Sequence, residues 1–427
     1  MRILIATDAF PPVCGGSGWS TYELAKGLRA RGHDVLVAHV TAGASREPAE
    51  YDGFRPIPLA SWAPPVPFVR NYFGNERLYR RAGSRLAALA REMHADVVHA
   101  QHLRSGPAAV LAGEAAGIPV VCTVRDYWPV CYWSDLIWTH AADTLCPACS
   151  VGMMTRCLRP HAGALWPIGL PAIPYMRANL ARKRRALAAS DAVVAVSTVI
   201  ARDLRERAPE LADRRIETIP NPVDVAGLRA EADGRPRPLD VPYALFVGKL
   251  APNKGVMKLV DALARARLDW PLIVVGDGPD RPELERAMRA GGHDVRFTGW
   301  LAREDVLGWL RHAGLLAFPS HGPESLSRVL LEASALGVPI AAMDTGGTRD
   351  IVIHEDTGLV SADARRLGDD IARLRADEAL RRRLGDAARR RVERTFDAGA
   401  VVARLETLYD DVCRGRSAAR APGERRR

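Results

Sequence analysis

The chain contains no run of 18 uncharged apolar residues, so no membrane-spanning helix is expected. Its first residues, Met1-Arg2-Ile3-Leu4-Ile5-Ala6-Thr7-Asp8, hold too short an apolar core for a secretory signal and read as a buried strand. A cytoplasmic location is the expectation that follows. Signatures of RNA binding and zinc-finger spacing are also missing, although the net charge is +10. About half of that excess lies after Cys413, where Arg414, Arg416, Arg420, Arg425, Arg426 and Arg427 face a lone Glu424. Residues 414–427 are therefore expected as a basic, disordered tail, and nucleic acid is not an expected partner. Lysine is scarce: only Lys26, Lys183, Lys249, Lys254 and Lys258 stand among 60 basic residues. Three of these five fall within ten residues, where a compact ammonium would be chosen over a planar fork.

What is present is soluble-globular in proportion, with 48% hydrophobic and 26% charged residues over 427 positions, which excludes wholesale disorder. Short apolar runs at Arg2–Thr7, Asp34–Val40, Asp96–His99, Pro119–Val124 and Ala192–Val196 alternate with amphipathic stretches such as Trp19–Arg31 and Glu76–Met93. A second series runs through Tyr243–Val247, Leu272–Val275, Val295–Thr298, Leu315–Phe318 and Pro339–Met343. Strands alternating with helices predict parallel sheets, hence an α/β chain of two Rossmann-like domains. The polar, proline-bearing stretch around Ile219–Asp224 and Ala232–Pro242 marks the boundary. Ligands of such sheets bind beyond the carboxyl ends of the strands, so the loops there, and the cleft between two such domains, are where chemistry is sought.

Four segments carry candidate chemistry. Pro11–Gly18 follows the first strand, and Gly15 and Gly16 would let a ligand approach a helix start. Gly16–Thr21 and Gly276–Arg281 both lack the third glycine of a dinucleotide fingerprint, and a tight strand–helix turn accounts for either. Gly248-Lys249-Leu250-Ala251-Pro252-Asn253-Lys254-Gly255 places two lysines on a glycine-bearing loop at a helix start, which suits a diphosphate but does not match the P-loop spacing. In Pro319–Ala333 a helix is expected from near Glu324, with the N–H groups of Ser325, Leu326 and Ser327 facing an anion. Eight helical residues would set Glu332 about 12 Å along the axis from Glu324, a span suited to hydroxyls at both ends of a nucleotide sugar. Glu324 equally suits a first-turn acid that complements the helix dipole.

Glu324-x₇-Glu332, with Gly248-Lys249…Lys254-Gly255 upstream and Gly346-Gly347-Thr348-Arg349-Asp350 downstream, resembles glycosyltransferase family 4, retaining enzymes of the GT-B fold that use nucleotide sugars. Gly15-Gly16, Arg31-Gly32-His33-Asp34-Val35 and Asp96-Val97-Val98-His99-Ala100-Gln101-His102 are similar to family segments, so the likeness spans about residues 3–395. The resemblance implies an N-terminal acceptor domain over 1–221, a donor domain over 222–395 and a C-terminal helix, 396–413, packing back on the first. It implies that Lys249 and Lys254 hold the diphosphate as leaving group, that Glu324 contacts donor-sugar hydroxyls and Glu332 the ribose. Gly16 would approach the phosphates, no cofactor or metal would be needed for catalysis, and a UDP- or GDP-sugar would donate to a glycan or lipid-linked acceptor, as in polysaccharide biosynthesis. His102 and Asp126 fall in acceptor-side segments. Where such segments often carry histidine this chain has Arg125, which cannot act as a base but could bind an anionic acceptor.

Two further features belong to the acceptor half. Cys131, Cys146, Cys149 and Cys157 could form a four-thiolate structural zinc site or be thiols packed as small hydrophobes. Ala162–Met176 is uncharged and precedes Arg177, Arg182, Lys183, Arg184 and Arg185. That pattern fits either an anionic membrane surface on the inner face, or a buried loop with a solvated helix behind it. A nucleotide-dependent oxidoreductase and an inactive glycosyltransferase-like binding protein are the competing readings.

Overall fold

The structure, a computed structural model, describes residues 1–42, 50–64, 69–139 and 145–420. It separates into two compact α/β units, the first formed by residues 1–139, 146–222 and the segment from Ala398, the second built on Val223–Asp397.

The first unit is a seven-stranded parallel sheet in the order β3-β2-β1-β4-β5-β6-β7. Its strands are β1 (Arg2–Thr7), β2 (Asp34–Ala42), β3 (Ile57–Ser61), β4 (Val97–Ala100), β5 (Val120–Val124), β6 (Ala192–Ala195) and β7 (Ile216–Thr218). The central strands are continuous apolar runs because helices cover both faces of a parallel sheet. Ile3 to Ala6, for example, are fully buried. Pairing of Ala6 with Ala100 brings the carboxyl ends of β1 and β4 side by side, where the strand order reverses.

The second unit has six parallel strands in the order β10-β9-β8-β11-β12-β13. They are β8 (Ala244–Val247), β9 (Leu272–Val275), β10 (Val295–Gly299), β11 (Leu315–Phe318), β12 (Ile340–Met343) and β13 (Leu359–Ser361). Here the order reverses between β8 and β11, so the loops after those strands flank the point where an open sheet binds ligands. The chain's α/β pattern of two Rossmann-like units is thus present. Strands β3, β7 and β13 were not among the expected ones; all three sit at sheet edges, where short strands carry little hydrophobic pattern.

The C-terminal helix runs Ala398–Arg420, so residues 414–420 are helical and not tail, while 421–427 lie outside the described residues. The extension is held because the Arg416 guanidinium reaches Asp191 and the carbonyl of Ile118. Val401, Val402, Leu405, Leu408, Tyr409 and Val412 on this helix are buried with Leu24 and Leu28 of the helix Gly16–Ala30 in one core. Among the described residues no helix is long and apolar enough to cross a membrane.

The uncharged stretch Ala162–Met176 is a chain of short helical turns and not a loop. Trp166, Leu170 and Tyr175 pack against a small core of Tyr132, Met154, Leu158, Ile173, Met176 and Leu180, while Leu165 and Ile168 stay exposed. Nor is the helix behind it solvated throughout: Lys183 is buried, its ammonium 5.3 Å from the Tyr132 ring.

Candidate functional site

In the second unit the expected donor-site residues collect on two loops. The loop after β8 carries Gly248 and the exposed Lys249, then a 3₁₀ turn, Pro252–Lys254, ending at Gly255 in the left-handed region (φ 66°). A Cβ at Gly255 would lie 1.9 Å from the Pro319 carbonyl oxygen, so only glycine lets this loop touch the one after β11. Gly276 and Asp277, read as a failed fingerprint, instead serve this loop from behind: Gly248 N–H donates to Val275 O (3.0 Å) and Leu250 N–H to Asp277 O (2.9 Å).

The Lys254 ammonium forms an ion pair with Glu324 Oε1, and the same oxygen accepts a hydrogen bond from Ser320 Oγ at 2.8 Å. Ser320 and Glu324 are both buried. Two backbone bonds lock the loops: Gly322 N–H to Asn253 O (2.9 Å) and Gly347 N–H to Glu324 O (2.8 Å). Thr345 Oγ1 adds a bond to Gly322 O at 2.5 Å. Gly346 (φ 48°) is required here, since a Cβ would stand 1.9 Å from Glu324 O.

The helix begins at Arg328, four residues later than expected. Ser327, at φ −70° and ψ 121°, is extended, which stops the helix from running back to Glu324. Glu324 is therefore neither a first-turn dipole acid nor at a helical offset from Glu332, and the 12 Å axial separation does not apply. Ser325, Leu326 and Ser327 form the approach to the helix, with Ser327 as its N-cap and Leu326 and Ser327 buried.

Glu332, buried within the helix Arg328–Ala335, accepts on Oε1 from Arg303 Nη1 at 2.6 Å and from Arg328 Nε at 2.9 Å. Burial alone would raise its carboxyl pKa, but the two guanidiniums outweigh that and hold it below the usual carboxylate range. Neither Ser320 nor Arg303 was singled out in the sequence. Arg303 is one arginine among many there, and only the packing brings it to Glu332.

In the first unit the expected acceptor-side residues gather beyond β1, β4 and β5. Gly15 and Gly16 are exposed, with Gly15 capping the helix Gly16–Ala30. Asp8 accepts from the N–H groups of Arg104 and Ser105, both at 2.8 Å, and burial raises its carboxyl pKa. His102 Nδ1 accepts from Asp8 N–H at 3.3 Å, which assigns the ring proton to Nε2. Burial, and then the charge of Arg125, drive the His102 pKa well down, so the ring is neutral. Arg125 is buried and donates to the side-chain oxygens of Gln101 and Asn221. Asp126 accepts from Trp128 N–H at 2.8 Å, and burial pushes its carboxyl up to about 6. Lys183, its electrostatic partner, is pushed down to about 8, also by burial. Three buried donors here, Gln101 Nε2, His102 Nε2 and Trp128 Nε1, have no hydrogen-bond partner among the described residues. Asp8, Gln101, Asn221 and Trp128 lacked a signal strong enough to single them out, although each follows a strand.

The four clustered cysteines do come together, lining one small, mostly apolar cavity with Leu136, Met154 and Arg207 among its other walls. All are free thiols. Cys146 and Cys157 donate their S–H to the carbonyls of Ala148 (3.4 Å) and Met154 (3.3 Å), and burial raises all four pKa values. Among the described residues no group of three or more His, Cys, Asp or Glu is placed to hold a metal ion, so the zinc site expected at Cys131, Cys146, Cys149 and Cys157 finds no support.

Two Rossmann-like units, with charged residues at the carboxyl ends of each sheet's central strands, fit the GT-B fold class. The chain belongs to glycosyltransferase family 4: the family model "Glycosyltransferase Family 4" matches residues 14–226, and "Glycosyl transferases group 1" matches residues 230–391. Glycogen synthase of Mycobacterium tuberculosis is 29% identical, over 97% of this chain and 96% of that one. D-inositol 3-phosphate glycosyltransferase of Xylanimonas cellulosilytica is 28% identical over 95% and 93%. The fold is shared with Anabaena Alr3699/HepE, solved with UDP and glucose, at a TM-score of 0.66 and 20% identity, covering 96% and 100% of the two chains. The protein is thus a glycosyltransferase that uses nucleotide sugars. This replaces the oxidoreductase reading.

Proposed function

We propose that the protein transfers a hexose, with retention of configuration, from a UDP- or GDP-sugar to a glycan or lipid-linked acceptor. The observation that carries the donor half is the grip of Lys254 and Ser320 on Glu324 at the point where the second sheet reverses. In this reading Lys249 and Lys254, with the N–H groups entering the helix at Ser325–Ser327, neutralise the diphosphate as it leaves. Glu324 takes donor-sugar hydroxyls and Glu332 the ribose. The bond from the anomeric carbon to the phosphate oxygen breaks as the acceptor oxygen bonds on the same face, and the acceptor's proton passes to the departing phosphate. Arg125 supplies charge but no base.

The acceptor half rests on three buried donors, Gln101 Nε2, His102 Nε2 and Trp128 Nε1, beside Arg125 and Asp126, which find no partner among the described residues. Such donors suit the oxygens of a polyol or an anionic group. Exposed Leu165 and Ile168, on the same unit as Arg159 and Arg182, support presentation of a lipid-linked acceptor at an anionic membrane surface on the cytoplasmic side.

Thermal unfolding with UDP, GDP, ADP and NAD added separately tests the donor class, followed by transfer assays with the matching sugar nucleotide and proton NMR of the product's anomeric signal. A midpoint raised by UDP or GDP and an axial anomeric product are expected from an α-linked donor. Inversion at that carbon would end the retaining reading; binding with no transfer to any glycan would favour an inactive binding protein.

A further inference from the structure

We propose that Arg303 and Arg328 are positioning residues that fix the Glu332 carboxylate so that one oxygen is committed to the protein and the other is offered to the nucleotide's ribose. The inference rests on the reading of Glu332 given above and adds the device that makes it selective.

Three observations converge. Both guanidiniums bond the same oxygen, Oε1, at 2.6 and 2.9 Å. Among the described residues Oε2 accepts no hydrogen bond. The arginines come from different elements: Arg303 opens the helix Arg303–Arg311 that follows β10, and Arg328 opens the helix that bears Glu332, one turn earlier on the same face. A glutamate side chain has three rotatable bonds, and clamping one oxygen from two directions removes that freedom. Side-chain exposures of 13%, 9% and 8% for Arg303, Arg328 and Glu332 keep water from competing for the clamp.

The charge balance favours the same role. Burial pushes the Glu332 carboxyl up, and the two guanidiniums together outweigh that, so it stays ionised and is an acceptor only. Arg303 also feels Glu231, so the second positive charge is shared with a carboxylate outside the clamp. A ribose offers two adjacent hydroxyl donors, which an ionised oxygen receives well. A 2′- or 3′-deoxy sugar forfeits that charge-assisted hydrogen bond, which is worth roughly tenfold or more in affinity. The clamp thus converts a common carboxylate into a reader of ribose.

The test is isothermal titration of the full chain with whichever of UDP and GDP stabilises it, and with the 2′-deoxy and 3′-deoxy analogues, for wild type, Arg303→Gln, Arg328→Gln and Glu332→Gln. Wild type should prefer the ribonucleotide by on the order of tenfold or more, and Glu332→Gln should lose that preference. Each arginine variant should lose most of it, with the deoxy analogue bound as before and the donor KM rising more than kcat falls. Arg303→Lys and Arg328→Lys, which keep the charge, should restore part of it and replace any glutamine variant that does not fold. Full ribose preference in the arginine variants would overturn the clamp. Equal binding of ribo and deoxy forms by wild type would instead overturn the ribose role of Glu332, while Lys254→Ala reports separately on the diphosphate site.

Discussion

Lys254 and Glu324, seventy residues apart in sequence, meet as an ion pair because two glycines allow three loops to interlock behind them. Ser320 donates to the same carboxylate oxygen that receives the lysine, so the buried Glu324 is held from two sides while Lys254 keeps part of its side chain in water. A diphosphate arriving at Lys254 would compete with Glu324 for the ammonium, and Glu324 would then be released toward hydroxyls of the sugar.

Lys254→Ala should therefore weaken nucleoside diphosphate binding roughly ten- to a hundredfold, the value of one charge-assisted hydrogen bond. A ligand at 100 times its dissociation constant stabilises the native protein by about 2.7 kcal/mol, and at the same concentration the variant should keep only about 0.4–1.4 kcal/mol of that. A shift of unchanged size would exclude Lys254 from the phosphate site.

The Arg303–Glu332–Arg328 cluster should also be visible as acid sensitivity. The folded-state pKa of Glu332 is depressed, so its contribution is present above the unfolded value of about 4.3 and is lost as pH falls through the lower folded value. Denaturant unfolding between pH 7 and pH 3 should show Glu332→Gln destabilised relative to wild type at the upper end, with the gap closing at the lower end. A gap independent of pH would mean the carboxylate's charge is not what the arginines hold.

Asp126 should behave in the opposite sense. Its folded pKa, about 6, lies above the unfolded value of about 3.9, so the protonated acid favours folding at low pH and that stability is lost as pH rises through 6. Asp126→Asn should thus be more stable than wild type at pH 7.5 and lose the advantage by pH 4. Carboxyl carbon NMR of the labelled protein gives the midpoint directly, and a value near 4 would refute the burial argument.

The C-terminal helix is bound to the first unit by one buried polar clasp as well as by its apolar face. Tyr409 OH lies 2.5 Å from His99 Nδ1, and His99 Nε2 lies 2.7 Å from Thr123 Oγ1. Burial lowers the His99 pKa to about 3, so the ring is neutral throughout the working range. Tyr409→Phe leaves a buried ring nitrogen without its partner and should cost about 1–3 kcal/mol in equilibrium unfolding. Truncation after Asp397 removes six buried apolar side chains, at roughly 1.5–3 kcal/mol each, and should prevent stable folding. A truncated chain that unfolds cooperatively with wild-type stability would show that this helix is dispensable.

The sequence by itself determined the strands of both sheet interiors, because strands buried on two faces are continuously apolar, and short β-branched runs such as Ile3-Leu4-Ile5-Ala6 and Leu272-Ile273-Val274-Val275 between turn signals favour strand over helix. It also marked Lys249, Lys254, Glu324 and Glu332, through residue choice: lysines where arginine is the habit, and an acid among leucines. Edge strands such as β13, three residues long, carried too little pattern to be seen. What only the tertiary structure decided was partnership. The Glu324 carbonyl accepts from Gly347, a bond between segments 23 residues apart, and the helix starts only at Arg328. Lys183 is buried and Cys146 protonated because of the packing around them, and neither state is written in the local sequence. Hydrophobic periodicity is a property of a few neighbouring residues, whereas hydrogen-bond partners, charge states and the clamp on Glu332 depend on groups that meet only once the sheet of their own unit has formed.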